Sequence, residues 1–305
     1  MYDLIIIGGG PAGVTAAIYA ARYKLNFLLI SDSVGGWLNQ IHKMENYPGY
    51  VSISGFDLIQ KFNEQLKYLE VEIISEKAVE ISRLENKNFE VKTHANQSFQ
   101  SKTVIVAAGS HKRELGVSGE KEFLGKGVSY CAICDGAFFK NKKVAVVGGA
   151  NSAVSAALML SDIASEVYII YRKEKLRAHK ALVDKAEEAD NIKILCCRNI
   201  TKINGGSKVE SIELDETYQD KNLLEVDGVF IEIGHIPTVD FLEKMGVELD
   251  EQGQINVDVH GKTNIEGIFG AGDVSNGQGN LKQVITAAAS GALAATGVNE
   301  YLKNL

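Results

Sequence analysis

Cys131-Ala-Ile-Cys134 sets two thiols three positions apart, with Asp135 and Gly136 following at once. Such a pair can ligate a metal, sit inert or cycle between dithiol and disulfide. A structural zinc site takes four ligands. The other cysteines, Cys196 and Cys197, are adjacent, which suits two corners of one tetrahedron poorly, and they read as small buried or half-buried residues. A redox pair needs one thiolate that attacks outward and a second that resolves the product or meets a cofactor. Asp135 stands where an acid/base group for thiol exchange is wanted. Spacing and acid together favour the redox pair.

Two glycine-rich turns flank this dithiol in sequence. Gly8-Gly9-Gly10-Pro11-Ala12-Gly13 follows the apolar run Asp3–Ile7 and precedes a small-residue segment. Gly8 suits a tight turn, Gly10 a close approach to pyrophosphate, and Gly13 close packing of helix on strand. The following helix offers free N–H groups and a partial positive charge to the phosphates. Asp32, just past the next strand, is a displaced candidate for a ribose hydroxyl. Gly272-Asp273, after another strand-like run, is placed to accept from a ribityl hydroxyl, although a plain Gly-Asp turn has the same composition.

The second turn, Gly148-Gly149-Ala150-Asn151-Ser152-Ala153, has alanine where the middle glycine is expected. After its second strand come Arg172, Lys173 and Arg177. A basic cluster there can pair with a 2′-phosphate, as can arginine bidentately, and so points to NADPH. A solvated basic loop would look alike. Two nucleotide turns and a dithiol imply electrons moving between bound nucleotides and sulfur.

The elements that must position these residues are legible as two βαβ units. The first has a strand at 3–7, a helix at 11–22 and a strand at 26–30. The second has a strand leading to Gly148, a helix near 151–163 and a strand at 167–171. Residues 71–106 read as an antiparallel addition, 264–274 as a strand with an acidic turn, and 281–302 as an Ala/Gly-rich helix. The C-terminal part is expected to return to the first domain, with hinges near His111–Gly116 and Pro237–Asp240. That gives residues 1–112 and 241–305 as one domain and 113–240 as an inserted one. The fold class is α/β, with two Rossmann-like three-layer nucleotide-binding domains.

Composition narrows the function classes. The 305 residues carry a net charge of -7, with 45% apolar and 23% charged residues, as a globular protein of two domains would. A net acidic chain without a basic stripe argues against nucleic acid as partner. Residues 4–21 are uncharged, but three glycines and a proline argue against a membrane span, and no basic segment precedes them as a signal peptide requires. A cytoplasmic location is expected, where CxxC chemistry is redox or metal chemistry.

The motifs GGGPAG (8–13), GGWLNQ…ENYPG (35–49), AAG (107–109), CAICDG (131–136), VVGGANSA (146–153), YRKEKLRA (171–178), IGHIPT (233–238), GAGDV (270–274) and KQVITAAASG (282–291) occur in this order. In that order they resemble the low-molecular-weight thioredoxin reductases, class II pyridine nucleotide-disulfide oxidoreductases, along almost the whole chain. The resemblance implies a homodimeric flavoenzyme with FAD in the outer domain and the dithiol on the inserted NADPH domain. It implies that Cys134 faces the flavin, that Cys131 attacks the disulfide of thioredoxin or a thioredoxin-like protein, and that Asp135 donates the proton. Pro11, Ala12, Gly35, Gly36, Trp37, Asn46, Ala108, Gly109, Gly272, Asp273, Lys282, Gln283 and Val284 would lie along FAD. Gly149, Asn151, Ser152, Ala153, Arg172, Lys173 and Arg177 would lie along NADPH. His235 matches a histidine near the domain junction, where a structural hydrogen bond is its expected role.

Departures from the family pattern stand out as well. Trp37 replaces a glutamine, Lys282 an arginine, Ala150 a glycine and Ser155 a glutamate, and the HRRxxxR run becomes Tyr171-Arg172-Lys173…Arg177. Three of these changes touch the nucleotide donor, which keeps NADH or ferredoxin as alternative donors. A flavin-bound redox sensor without turnover is the alternative outside catalysis.

Overall fold

Leu4, Ile5, Ile6 and Ile7 are buried on both faces, as a central parallel strand requires. In the computed structural model, which describes residues 1–41, 44–279 and 281–305, they form β1 (Tyr2–Gly9). There follow α1 (Pro11–Arg22), β2 (Phe27–Val34), α2 (Gly55–Tyr68), β3 (Ile73–Ile74), β4 (Ala78–Arg83), β5 (Phe89–Thr93), β6 (Ser98–Val106) and β7 (Ser110–Lys112). The middle of the chain gives β8 (Val128–Ser129), α3 (Ala132–Asp135), β9 (Lys143–Val147), α4 (Asn151–Ser161), β10 (Glu166–Tyr171), α5 (Lys180–Glu188) and β11 (Ile192–Cys196). It continues through β12 (Ile200–Gly205), β13 (Val209–Tyr218), β14 (Lys221–Glu225), β15 (Gly228–Ile231) and β16 (His235–Pro237). The chain closes with β17 (Ile268–Gly270) and α6 (Val284–Lys303).

These elements form two compact units, residues 1–111 with 236–305, and residues 112–235. The second crossing lies upstream of the break at 240 read from sequence. Its cause is local: the 3₁₀ turn Asp240–Met245 buries Leu242 in the same core as Ile5, Val104 and Ile268. The two crossing strands, β7 and β16, pair with each other.

In the first unit the sheet runs β3-β2-β1-β6-β5-β4, and β17 also pairs with β6. β6 has two halves: its start pairs antiparallel with β5, its end parallel with β17. Residues 71–106 are thus only in part the antiparallel addition expected, since β3 pairs parallel with β2 and β6 parallel with β1. Ala12, Ala16, Ala17 and Ala20 of α1 are buried, and α6 packs so near that a side chain at Gly291 would run into the Ala12 carbonyl. α6 starts at Val284 instead of 281 because Gln283 caps it in a reciprocal box with Thr286.

The second unit holds an all-parallel sheet, β11-β10-β9-β15-β8, and a separate antiparallel sheet, β12-β13-β14. Its strand order reverses at β9, and such switch points open crevices at the carboxyl ends of strands. Among the described residues no helix is long and apolar enough to cross a membrane.

Candidate active site

The dithiol sits where β8 ends. Cys131 caps the single turn α3, and a residue three positions on returns to the same side, so Cys134 closes a disulfide with it at a Cα–Cα distance of 5.3 Å. The Cys134 N–H points at Cys131 Sγ, 3.2 Å away. Ser129 Oγ donates to Asp135 Oδ2 at 2.6 Å and accepts from the Cys131 N–H at 3.0 Å. One buried hydroxyl thus fixes both the carboxylate and the first cysteine. Ser129 carried no signal in the sequence, since nothing local shows that its hydroxyl turns to Asp135.

Tyr130 is held from two sides. Lys112 Nζ donates to its carbonyl at 2.8 Å and lies 3.0 Å from His235 Nε2, which must accept from an ammonium. The Tyr130 hydroxyl donates to Glu120 Oε1 at 2.7 Å. Glu120 is only 1% exposed and also accepts from the Leu115 and Gly116 N–H groups at 2.9 and 2.7 Å. Burial and the Glu120 carboxylate raise the Tyr130 phenol above its ordinary range. Glu120→Ala would leave three donors without a partner. We expect it to destabilise the second unit by about 3 kcal/mol or more, read as a lower denaturation midpoint; an unchanged midpoint would contradict that role.

In the first unit, three chain segments meet at the start of α1. Gly8 has φ +108°, and a side chain there would strike Ala107, while one at Gly13 would strike the Gly8 carbonyl. Gly10 is the N-cap, extended at φ −71° and ψ −179°, with no side chain capping the helix. Gly36 lies against it, a Cβ there reaching 3.4 Å from Gly10 Cα. Gly35 N–H donates to Gly9 O at 2.8 Å. Gly272 faces Ala12, 2.8 Å from an added Cβ to Ala12 Cβ, which brings Asp273 beside the same helix start.

The remaining first-unit candidates cluster less uniformly. Ala108 and Gly109 follow β6, and Gly109 O accepts from the Thr238 N–H at 3.1 Å. Trp37 Nε1 donates to Ser110 O at 2.7 Å. Asn46 Nδ2 donates to Gln283 Oε1 at 3.0 Å, joining two candidates from opposite ends of the chain, with Val284 opening α6 next to them. Asp32 is exposed within β2, which runs on to Val34. Ser31, not singled out in the sequence, accepts instead from the Gly9 N–H at 2.8 Å. Lys282 turns inward: its ammonium reaches Ser275 O at 2.7 Å and Gln254 Oε1 at 3.3 Å, and burial lowers its pKa. It clamps the loop behind Asp273.

The second unit repeats the arrangement at α4. Gly148 has φ +143°, and Gly149 lies flat against the Tyr171 ring. Ala150 is the N-cap at φ −97° and ψ −179°, the same extended conformation as Gly10, so the backbone there does not demand glycine. Ala153 packs on Gly148, Asn151 Oδ1 accepts from the His179 N–H at 2.8 Å, and Ser152 and Ser155 are exposed. The basic loop docks on the turn through the Arg177 N–H, 2.6 Å from Gly149 O, and leaves Arg172, Lys173 and Arg177 exposed.

Both helix starts fit a dinucleotide. Each lacks a side-chain cap, and each has near it a residue with a buried polar atom that has no partner: Gln278 Oε1, whose amide nitrogen donates to Asp273, and the hydroxyl of Tyr171, whose ring packs against Gly149.

Comparison with known proteins agrees with these features. The family described as pyridine nucleotide-disulphide oxidoreductase matches residues 2–291. A thioredoxin reductase from Listeria innocua is 39% identical over 100% of this chain and 95% of its own. One from Bacillus subtilis is 38% identical over 100% of this chain and 96% of its own. The crystal structure of thioredoxin reductase from Streptococcus pyogenes superposes with a TM-score of 0.91 at 39% identity, covering 100% of this chain and 99% of that one.

Proposed function

The chain belongs to the pyridine nucleotide-disulphide oxidoreductase family, and from that premise we propose that it is a thioredoxin-disulfide reductase that draws on NADPH through FAD. The observation that carries this is the Cys131–Cys134 disulfide beside Asp135, in a chain with two dinucleotide-type helix starts.

Gly8–Gly13, Gly35–Gly36, Asp273 and the Asn46–Gln283 pair would hold FAD. Gly149–Ala153 with Arg172, Lys173 and Arg177 would hold NADPH. FAD, when bound, supplies the two-electron chemistry that links a nicotinamide to a disulfide. In the reduced dithiol the Cys131 thiolate attacks one sulfur of the thioredoxin disulfide, and the other leaves as a thiolate. Asp135, oriented by Ser129, is placed to move the proton that this exchange requires. Cys134 then attacks Cys131 Sγ, re-forming their disulfide and releasing the second thioredoxin thiol, so two electrons pass in all. Cytoplasmic action as a homodimer belongs to the same proposal and rests on the family resemblance.

The choice of NADPH rests on the basic loop at the end of β10. Hydrogen bonds to charged groups contribute about 1.5–3 kcal/mol each, so Arg172→Gln with Arg177→Gln should raise KM for NADPH by about tenfold or more per arginine. KM for NADH should barely move. Stopped-flow flavin bleaching with each donor reads this directly. Equal loss with both donors would remove the 2′-phosphate role, and failure of wild type with both donors at millimolar levels would sink the nicotinamide reading.

A further inference from the structure

Two short segments flank the first glycine turn, and one side chain joins them. On one side, the Gly35 N–H donates to Gly9 O at 2.8 Å, and a Cβ added at Gly36 would lie 3.4 Å from Gly10 Cα. On the other, Gly8 abuts the residues that follow β6: a Cβ there would strike the Ala107 carbonyl and lie 3.0 Å from Ala108 Cα. Trp37, next to Gly36, sends its indole N–H to Ser110 O at 2.7 Å. That bond closes a ring of contacts running from Gly9 through Gly35, Trp37, Ser110 and Ala108 back to Gly8.

We propose that Trp37 is a positioning residue of the first dinucleotide turn: its indole N–H straps residues 35–36 to residues 108–110 and holds the two segments at the spacing that bound FAD requires. The proposal rests on the FAD reading of that turn and deepens it.

The backbone alone holds this segment weakly. Gly35 and Gly36 are consecutive glycines at φ +110° and +54°, so the chain enters the 3₁₀ turn Gly36–Gln40 with no side chain to brace it. Trp37 is the first side chain after them, and Leu38 beyond it is 1% exposed in the core. An indole offers one donor and no acceptor on a ring set by two torsions, so a bond at Nε1 fixes the distance between the two backbones. Ser110, at the far end, is 4% exposed, and the Gly109 carbonyl before it accepts from the Thr238 N–H at 3.1 Å. Glutamine, the family residue at this position, carries its amide nitrogen as many bonds from Cβ as Nε1 is. It can reach the same carbonyl, with one more torsion to freeze.

The test dilutes the full-length flavoprotein through a concentration series and reads released FAD by its fluorescence, which gives the dissociation constant without any turnover. Trp37→Phe keeps an aromatic ring and removes the donor, and FAD should bind about tenfold more weakly. Trp37→Gln restores a donor at the same reach and should stay within about threefold of wild type. Trp37 is the chain's only tryptophan, so a third variant can be made at this position by replacing tryptophan with β-(3-benzothienyl)alanine. That residue keeps the bicyclic shape, so the fold has no cause to change, and puts sulfur where the N–H was. It should weaken FAD as Trp37→Phe does. A tryptophan that only fills space would give the reverse order, with the benzothienyl protein like wild type and Trp37→Gln the weakest. Wild-type affinity in the benzothienyl protein, or equal loss in Trp37→Phe and Trp37→Gln, would overturn this inference alone. A wild-type protein that carries no FAD and takes none up when it is added would overturn the flavin reading with it.

Discussion

Cys131→Ser is expected to lower thioredoxin reduction on the order of 10³-fold or more, the scale set by removing a reacting nucleophile, while leaving flavin bleaching by NADPH intact. The two effects separate because the dithiol and the first-unit dinucleotide turn are built from different residues. The serine hydroxyl of that variant could still accept the Cys134 N–H in place of the sulfur, so the α3 turn has no cause to unfold. Cys134→Ser should lose turnover to a similar degree for another reason. Its Cys131 can attack thioredoxin but nothing resolves the mixed disulfide, so a covalent adduct should accumulate and be visible by mass. Any long-wavelength thiolate–flavin absorbance should survive Cys131→Ser and vanish in Cys134→Ser. Thioredoxin reduction that persists in both variants would remove the dithiol from the mechanism.

Gly13→Val is expected to yield protein that neither retains flavin nor reaches wild-type stability. A Cβ at Gly13 runs into the Gly8 carbonyl, so α1 must back away from β1, carrying its free N–H groups away from the phosphates. Overpacking of this kind costs about 1–3 kcal/mol, and lost phosphate contacts add to the loss of affinity. Gly10→Ala is the informative control. A Cβ there meets nothing within 4 Å, and its extended φ is open to alanine. It should keep the denaturation midpoint and weaken only flavin binding, by reaching into the space the pyrophosphate needs. The measurements are flavin content after gel filtration and thermal unfolding of the apoprotein. Equal flavin content in wild type and Gly13→Val would contradict the cradle. The second turn already carries Ala150 in the same backbone conformation as Gly10, so Gly10→Ala also measures what that natural methyl costs a bound dinucleotide.

The sequence was most legible where the constraint is local. Both glycine turns, the α1 range and the second-unit parallel strands follow from apolar runs ending in residues that permit a positive φ or a close approach. Register and extent were harder. Ser31-Asp32-Ser33 has turn composition, yet β2 continues to Val34 because the Ser31 hydroxyl takes up the Gly9 N–H and Gly9 pairs with Val34 across a register shift. The support of the dithiol was not legible at all. Glu120 meets Tyr130 from ten positions away and Lys112 meets His235 from 123, contacts that only the folded chain creates. Lys282 stands in a matching motif, and the contacts of its ammonium with the carbonyls of Ser275 and Gln254 behind Asp273 were likewise not legible in the sequence.

The most direct measurement is anaerobic NADPH oxidation by the full-length flavoprotein in the presence of oxidised thioredoxin, with thioredoxin thiols counted alongside. Wild type should consume one NADPH for each thioredoxin disulfide opened, and the Cys131→Ser, Cys134→Ser double variant should open none above background. Thioredoxin thiols appearing at the wild-type rate in the double variant, or NADPH consumed by wild type without any thioredoxin disulfide opened, would contradict electron delivery through Cys131–Cys134.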